Sequence, residues 1–485
     1  MVFAFAAVIA CEDEEPKPQA VDSENAGTVR PPSNATPPSP CAIATKPADF
    51  LLPIIPGLVT GSFREVDGKA KCVSGKEIDY ELRDMNGDRQ PDLVLRSSCD
   101  DTTIGPLAWR VYFNVGTGFD ANPVRFDLPL PRPPACAKVE LLDVDGDLRP
   151  DFVTTSTCLD PSVGTTKWIV NRNNGAGWDA PSDFTLPTAP VKNAFTTLAS
   201  PSLTATCPGG PAYRTFDIDG DLKIDLVVVS ACDDTFLSTQ TWRVYRGTGA
   251  GFEETPFSFA LPTTPAPIPR LYADPRGATA KCEENALSRS YELVDFDGDF
   301  APDLLVTKLC NDTTVGSTRW FLYRNEKTRF TAEPRAIELP ILPGALGRHG
   351  VFQTTSGEAN CSEHRPAFTL IDATGDFKKD LLFTQACNDT ASGVTRWTLF
   401  QQQDDGALST TGVPLSLPAV LGGTTSDPLG LTEKPECDRT TTKRPGFTAA
   451  HLVDNQFGLV VTSSCLDTSV GQTRWLLHGA SCTSN

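Results

Sequence analysis

Histidine, methionine and long apolar runs are what this 485-residue chain has least of. Its four histidines, His349, His364, His451 and His478, are scattered, and there are only two methionines. No GxSxG elbow, HExxH helix or phosphate-binding glycine loop occurs, so the chemistries that rest on those spacings have no carrier. No apolar run reaches the roughly 18 residues of a membrane-spanning helix. Cysteine is plentiful at fifteen, yet no CxxC or nearby histidine partner is present, which argues against zinc. The formal charge of −19 disfavours a nucleic-acid-binding surface.

What the chain does have is one acidic loop in five copies, Asp-x-(Asp/Asn/Thr)-Gly-Asp-x-x-x-Asp, each followed by strand formers. The copies begin at Asp84, Asp143, Asp217, Asp295 and Asp372. Oxygen ligands at loop positions 1, 3, 5 and 9 around a turn glycine are what a hard cation such as calcium requires. Four such groups within nine residues repel one another unless something neutralises them. The five loops together hold eighteen aspartates, so five bound calcium ions would bring the formal charge to about −9. Most of the acidity is thus accounted for without a basic partner.

The repeat is larger than the loop. Each unit runs cysteine, strand, acidic loop, strand, Cys-x-Asp, turn, a Trp-led strand and a last strand ending near Leu-Pro. Trp109, Trp168, Trp242, Trp320 and Trp397 each fall 25 residues after the first loop aspartate. In a sixth unit Trp475 falls 21 after Asp454, and the loop has shrunk to Asp454-Asn455-Gln456-Phe457-Gly458. A repeat of this length with short, β-branched and aromatic strands between turn residues predicts four-stranded antiparallel blades. In the fourth unit the strands are expected at 291–294, 303–307, 320–324 and 336–339. The sixth unit lacks its last strand, whereas a surplus Asp49-Phe50-Leu51-Leu52-Pro53 stands ahead of the first. A closed ring that completes its last blade with an N-terminal strand explains both. The expected fold is therefore all-β, a six-bladed β-propeller over residues 41–485.

The acidic loop with its Asp-Leu-(Val/Leu) run, repeated in blades with a G-x-G-F turn, resembles the FG-GAP/VCBS family of β-propeller repeats across about residues 72–482. The resemblance implies calcium at the A–B hairpin of each blade. The implied ligands are Asp84, Asn86, Asp88 and Asp92 in blade one and Asp143, Asp145, Asp147 and Asp151 in blade two. Blade three offers Asp217, Asp219, Asp221 and Asp225, and blade four Asp295, Asp297, Asp299 and Asp303. Blade five departs with Thr374 at position 3, leaving Asp372, Asp376 and Asp380. Blade six departs altogether. Position 6, often glycine in the family, is Arg89, Leu148, Leu222, Phe300 or Phe377. The calcium is read as a structural staple and not a catalytic ion.

Twelve cysteines occur as two per unit: Cys72/Cys99, Cys136/Cys158, Cys207/Cys232, Cys282/Cys310, Cys361/Cys387 and Cys437/Cys465. In blade two they stand seven residues before and seven after the loop, opposite each other across the hairpin. Six bridges clamping each hairpin foot are expected, with a seventh between Cys41 and Cys482, in an oxidising compartment. Cys11 follows an apolar run ending Val8-Ile9-Ala10 and resembles a bacterial lipobox. On that reading residues 1–10 are a signal peptide and 11–40 a Pro/Ser-rich tether, with Cys11 carrying a lipid anchor to the envelope; secretion by an ordinary signal is the alternative.

The recurrent Asp101, Asp160, Asp234, Asp312, Asp389 and Asp467 persist where the metal loop is lost, so they are expected to cap turns. The six tryptophans are expected to pack between blades and not to stack on sugars. No polar cluster that breaks the repeat is found, so no catalytic residues are assigned. The loops from strand D to the next strand A are short after blade one and long afterwards, and meander topology puts them on the face opposite the calcium tips. The expected role is a binding or adhesion module for a protein or glycan on that D–A face. Arg270, Tyr272 and Arg276, and Arg348, His349 and Phe352, are its aromatic and basic exceptions. A secreted carbohydrate-active or phosphoester-cleaving enzyme and a self-associating coat protein are the alternatives.

Overall fold

The computed structural model describes residues 41–482 apart from segments 60–62, 130–136, 189–193, 201, 203, 206–209, 263–271, 281, 284–287, 341–351, 362–364, 388, 424–427, 436, 438–443 and 454–455. The signal, tether and Cys11 readings therefore lie outside the described residues, as do Cys136, Cys207, Arg270, Arg348 and His349.

Short β-branched and aromatic segments between Gly, Pro and Asp turns fold into six antiparallel sheets, one per sequence unit. Blade four is representative, with strands A to D at Arg289–Val294, Asp303–Leu309, Arg319–Tyr323 and Arg335–Glu338. Strand C alternates, with Trp320 and Leu322 buried and their neighbours less so, as a pleated strand requires. Strand B is buried over its first five residues, because both its faces lie against neighbouring blades. Six apolar clusters fill the seams between sheets.

A feature not foreseen is a short extra strand against strand A in four blades: Gly68–Lys71, Gly277–Ala278, Ser356–Gly357 and Thr432–Glu433. Each comes from a D–A loop long enough to fold back along the strand it feeds. At two to four residues these runs carry no legible alternation, which is why the pattern did not reveal them.

The ring closes through blade six. The last strand, Arg474–Cys482, pairs with Ala48–Leu51 in the register Phe50↔Trp475 and with Cys41–Ile43 in the register Cys41↔Cys482. Phe50 stacks on Trp475 and meets Phe119 of blade one edge-on at 5.0 Å. Its strand also hydrogen-bonds into the C–D turn of blade one, where Leu51 N donates to Thr117 O and Phe119 N to Leu51 O. The same stitch recurs from Thr185 to Phe252 and from Ala260 to Phe330. In blade six strand A ends at Val453 and strand B begins at Gln456, and the two residues pair with each other where the other blades carry the acidic loop.

Four hairpin-foot disulfides are present, Cys72–Cys99, Cys282–Cys310, Cys361–Cys387 and Cys437–Cys465. Cys41, Cys158 and Cys232 are also disulfide-bonded. The partners expected for Cys158 and Cys232 fall outside the described residues.

Candidate metal loops and the opposite loop face

The acidic loops share one backbone solution. In blade three Asp217 Oδ1 accepts from Gly220 N at 2.7 Å and its Oδ2 from Leu222 N at 2.7 Å, while Asp221 Oδ1 accepts from Lys223 N at 2.9 Å. The other four loops repeat these contacts from Asp84, Asp143, Asp295 and Asp372. Position 6 is left-handed in all five, with φ 66 to 70° at Arg89, Leu148, Leu222, Phe300 and Phe377. That conformation is why a glycine suits the position, and here five residues with a Cβ accept its cost. The backbone contacts to the first aspartate hold them there.

The ninth-position aspartates are buried joints. Asp92, Asp151, Asp225, Asp303 and Asp380 are at most 1% exposed. Oδ2 of each accepts from the second loop residue, as in Met85 N to Asp92 at 2.8 Å. Oδ1 accepts from the residue two positions past the end of strand C, as in Asn114 N to Asp92 at 2.8 Å. Each carboxylate thus ties the loop to a strand whose sequence lies 22 residues away. Burial pushes Asp92, Asp151, Asp225 and Asp380 up to about 7 and Asp303 to about 8, against the lowering effect of those amides. Asp217 is pushed to about 6 by the same cause.

Three loops bring three carboxylates within 4.8 Å of one another: Asp143, Asp145 and Asp151; Asp217, Asp219 and Asp225; Asp295, Asp297 and Asp299. In each of these the third-position acid keeps one oxygen, Oδ1 of Asp145, Asp219 or Asp297, buried with no hydrogen-bond partner. A buried carboxylate oxygen without a partner is costly, and an all-oxygen donor set of this charge fits a hard divalent cation. The residues present therefore fit such an ion in blades two to four. In blade one Asn86 replaces the third acid and donates to Asp88 at 3.1 Å; in blade five Thr374 Oγ1 bonds Asp376 at 3.0 Å.

On the opposite face the recurrent aspartates cap turns. Asp312 Oδ1 accepts from Thr314 N at 2.9 Å, and the same bond forms at Asp101, Asp160, Asp234, Asp389 and Asp467. A basic residue beside the blade tryptophan completes each pair, as in Arg474 to Asp467 at 2.8 Å. The tryptophans anchor the long loops. Trp168, Trp242, Trp320, Trp397 and Trp475 are fully buried, and each Nε1 donates to a loop carbonyl: Phe195, Tyr272, Phe352, Leu429 and Phe63. Those same residues donate back to the B–C turn, as in Phe352 N to Gly316 O at 2.7 Å. Trp109, which precedes the short loop, is only half-buried and packs against Trp178 instead.

Of the group around Tyr272, Arg270 lies outside the described residues, Tyr272 is fully buried, and Arg276 is held by the fold. Arg276 forms paired contacts with buried Asp274 at 3.3 and 3.2 Å, and Arg214 of blade three reaches the same carboxylate at 3.6 Å. Glu140 and Glu292, at the equivalent strand A position, take Leu198 N and Thr355 Oγ1 from the next blade's inner loop. Sequence reasoning missed these latches because their partners sit 58 to 63 residues on, in loops of no fixed length.

No family model matches the sequence, and no curated protein matches it significantly. Among solved structures, the Tc holotoxin pore of Photorhabdus luminescens is similar over 82% of this chain at 14% identity and TM-score 0.44, and this chain spans only 14% of that one. A lectin of Agrocybe aegerita that recognises non-reducing terminal N-acetylglucosamine is similar over 87% of this chain and 88% of its own, at 12% identity and TM-score 0.38. The six-bladed architecture rests on the strand pairing itself.

Proposed function

We propose that this chain is a calcium-stapled propeller of the FG-GAP/VCBS type that binds a protein or glycan through the face carrying its D–A and B–C loops. The observation that carries this reading is the sidedness of exposed apolar side chains. Of the ten large apolar residues exposed among the described residues, seven lie in those loops: Ile54, Val59, Val73, Leu107, Leu159, Phe236 and Leu466. Exposed apolar groups held on a stitched frame are what a recognition face offers, since contact with a ligand removes them from water. The chain carries out no chemistry in this reading. The acidic loops would hold calcium through Asp84, Asp143, Asp217, Asp295 and Asp372 and their partners, with blade five weakest. The ion there would neutralise carboxylates that burial otherwise penalises.

The disulfides fit an oxidising location. A lipid on Cys11 would place the propeller at a bacterial envelope, with residues 11–40 as its tether.

The test uses the oxidised full chain on a glycan array and against purified envelope and matrix fractions, with calcium and with chelator. A triple variant, Leu159→Asp, Phe236→Asp and Leu466→Asp, serves as the control. A ligand held by the wild type, released by chelator and lost in the variant supports the reading. Retention by the variant would move the binding face elsewhere. Self-association or turnover of a glycan would favour a coat protein or an enzyme.

A further inference from the structure

We propose that Arg172, Arg246 and Arg324 are positioning residues for cation capture in blades two, three and four, a proposal that rests on the calcium reading above. All three stand four residues after the blade tryptophan, directly following strand C. The same position is Phe113 in blade one and Gln401 in blade five. Loop position 3 is an aspartate in blades two, three and four only, and is Asn86 and Thr374 in the other two. The arginine and the third acid therefore occur together, or neither does.

The contacts explain the correlation. Arg246 Nε donates to Asp219 Oδ2 at 2.8 Å, Arg324 Nη2 lies 2.5 Å from Asp297 Oδ2, and Arg172 pairs with Asp145 Oδ2. In all three the guanidinium takes one oxygen and leaves the other, the buried Oδ1 with no partner, beside the remaining loop carboxylates. Asp219 is only 8% exposed, so its free oxygen has no water to turn to. The arginine is itself held: Arg246 lies over the Phe257 ring at 4.5 Å, and Arg172 also donates to Gly249 O in the next blade. An outer residue that fixes one oxygen of a carboxylate aims the other, which is how supporting hydrogen bonds orient metal ligands.

Charge alone predicts the reverse. A cation beside the site opposes calcium, so removing the arginine would tighten binding if it were only a counter-ion. Geometry predicts loss, because the freed carboxylate can rotate towards solvent. The sign of the effect therefore separates the two roles.

The experiment is calorimetric titration of chelator-stripped, oxidised full chain with calcium, with near-ultraviolet circular dichroism to confirm folding. Arg246→Gln should weaken one site about 10-fold or more, and Arg246→Lys should recover part of that loss. The reciprocal graft needs no loss of native contacts at blade three. Asn86→Asp with Phe113→Arg should bind calcium about 10-fold more tightly at blade one than Asn86→Asp alone. Unchanged or tighter binding by Arg246→Gln, or no gain from the added arginine, overturns the proposal. A wild type that takes up no calcium removes the calcium reading itself, and the proposal with it.

Discussion

At the residue scale the decisive groups are buried ones whose partners come from elsewhere in the chain. Trp320 Nε1 donates to Phe352 O at 2.6 Å inside a filled seam, so Trp320→Phe loses a hydrogen bond, strands a buried carbonyl and shrinks the side chain. The expected cost is about 1 to 3 kcal/mol by urea unfolding. Trp109→Phe, at a half-buried site, should cost less than about 1 kcal/mol. The ninth-position aspartates give a pH dependence whose sign is fixed. Their folded pKa values lie above the unfolded value of 3.8, at about 7 to 8, so the metal-free fold holds more protons than the unfolded chain in that window. Chelated protein should therefore lose stability as pH rises from about 4 to about 8. Calcium should reverse the trend, because the ion favours the charged carboxylate. Melting temperature against pH, with and without chelator, measures both slopes.

At the element scale four hairpins are seen clamped at the foot by a disulfide, and the five acidic loops are bent at the tip by a left-handed residue. Removing the Cys72–Cys99 bridge by a double serine substitution frees a loop closed over 27 residues and should cost about 2 to 4 kcal/mol. At the tip, Leu222→Val puts a β-branched side chain at φ 69° and should destabilise by about 1 to 2 kcal/mol, whereas Leu222→Gly relieves the backbone. Thermal melts of the two variants in the same buffer show whether the backbone or the lost leucine packing dominates.

At the scale of the whole molecule the blade six closure and the seam between blades one and two both depart from the repeat. Phe50 belongs to an N-terminal strand yet packs on Trp475 from the C-terminal one and on Phe119 of blade one. Phe50→Ala should cost about 3 to 5 kcal/mol, and hydrogen exchange should rise in strand segments 474–482 and 48–51 together. At the other seam only ten residues separate strand D of blade one, Val124–Asp127, from strand A of blade two, Lys138–Leu142. That is too short for the extra strand found in blades one, four, five and six, and Glu81 of blade one pairs with Arg83 and Arg96 of its own blade. Strand A of blade two should exchange faster than its counterpart in blade four.

The repeat period, the blade count, the strand order and the closure of the last blade by an N-terminal strand were all legible in the sequence. Each is a local pattern copied several times, and copying turns a weak signal into a firm one. The five loop glycines and the turn-capping role of Asp101, Asp160, Asp234, Asp312, Asp389 and Asp467 were legible for the same reason. Only the tertiary structure decided that the ninth aspartate is a joint between loop and strand C, that Trp109 stands apart from its five counterparts, and that Arg172, Arg246 and Arg324 meet the third loop acid. Those contacts join residues 22 to 32 positions apart or more, through loops of varied length. Burial created there removes water as a competing partner, and no local spacing records where that happens.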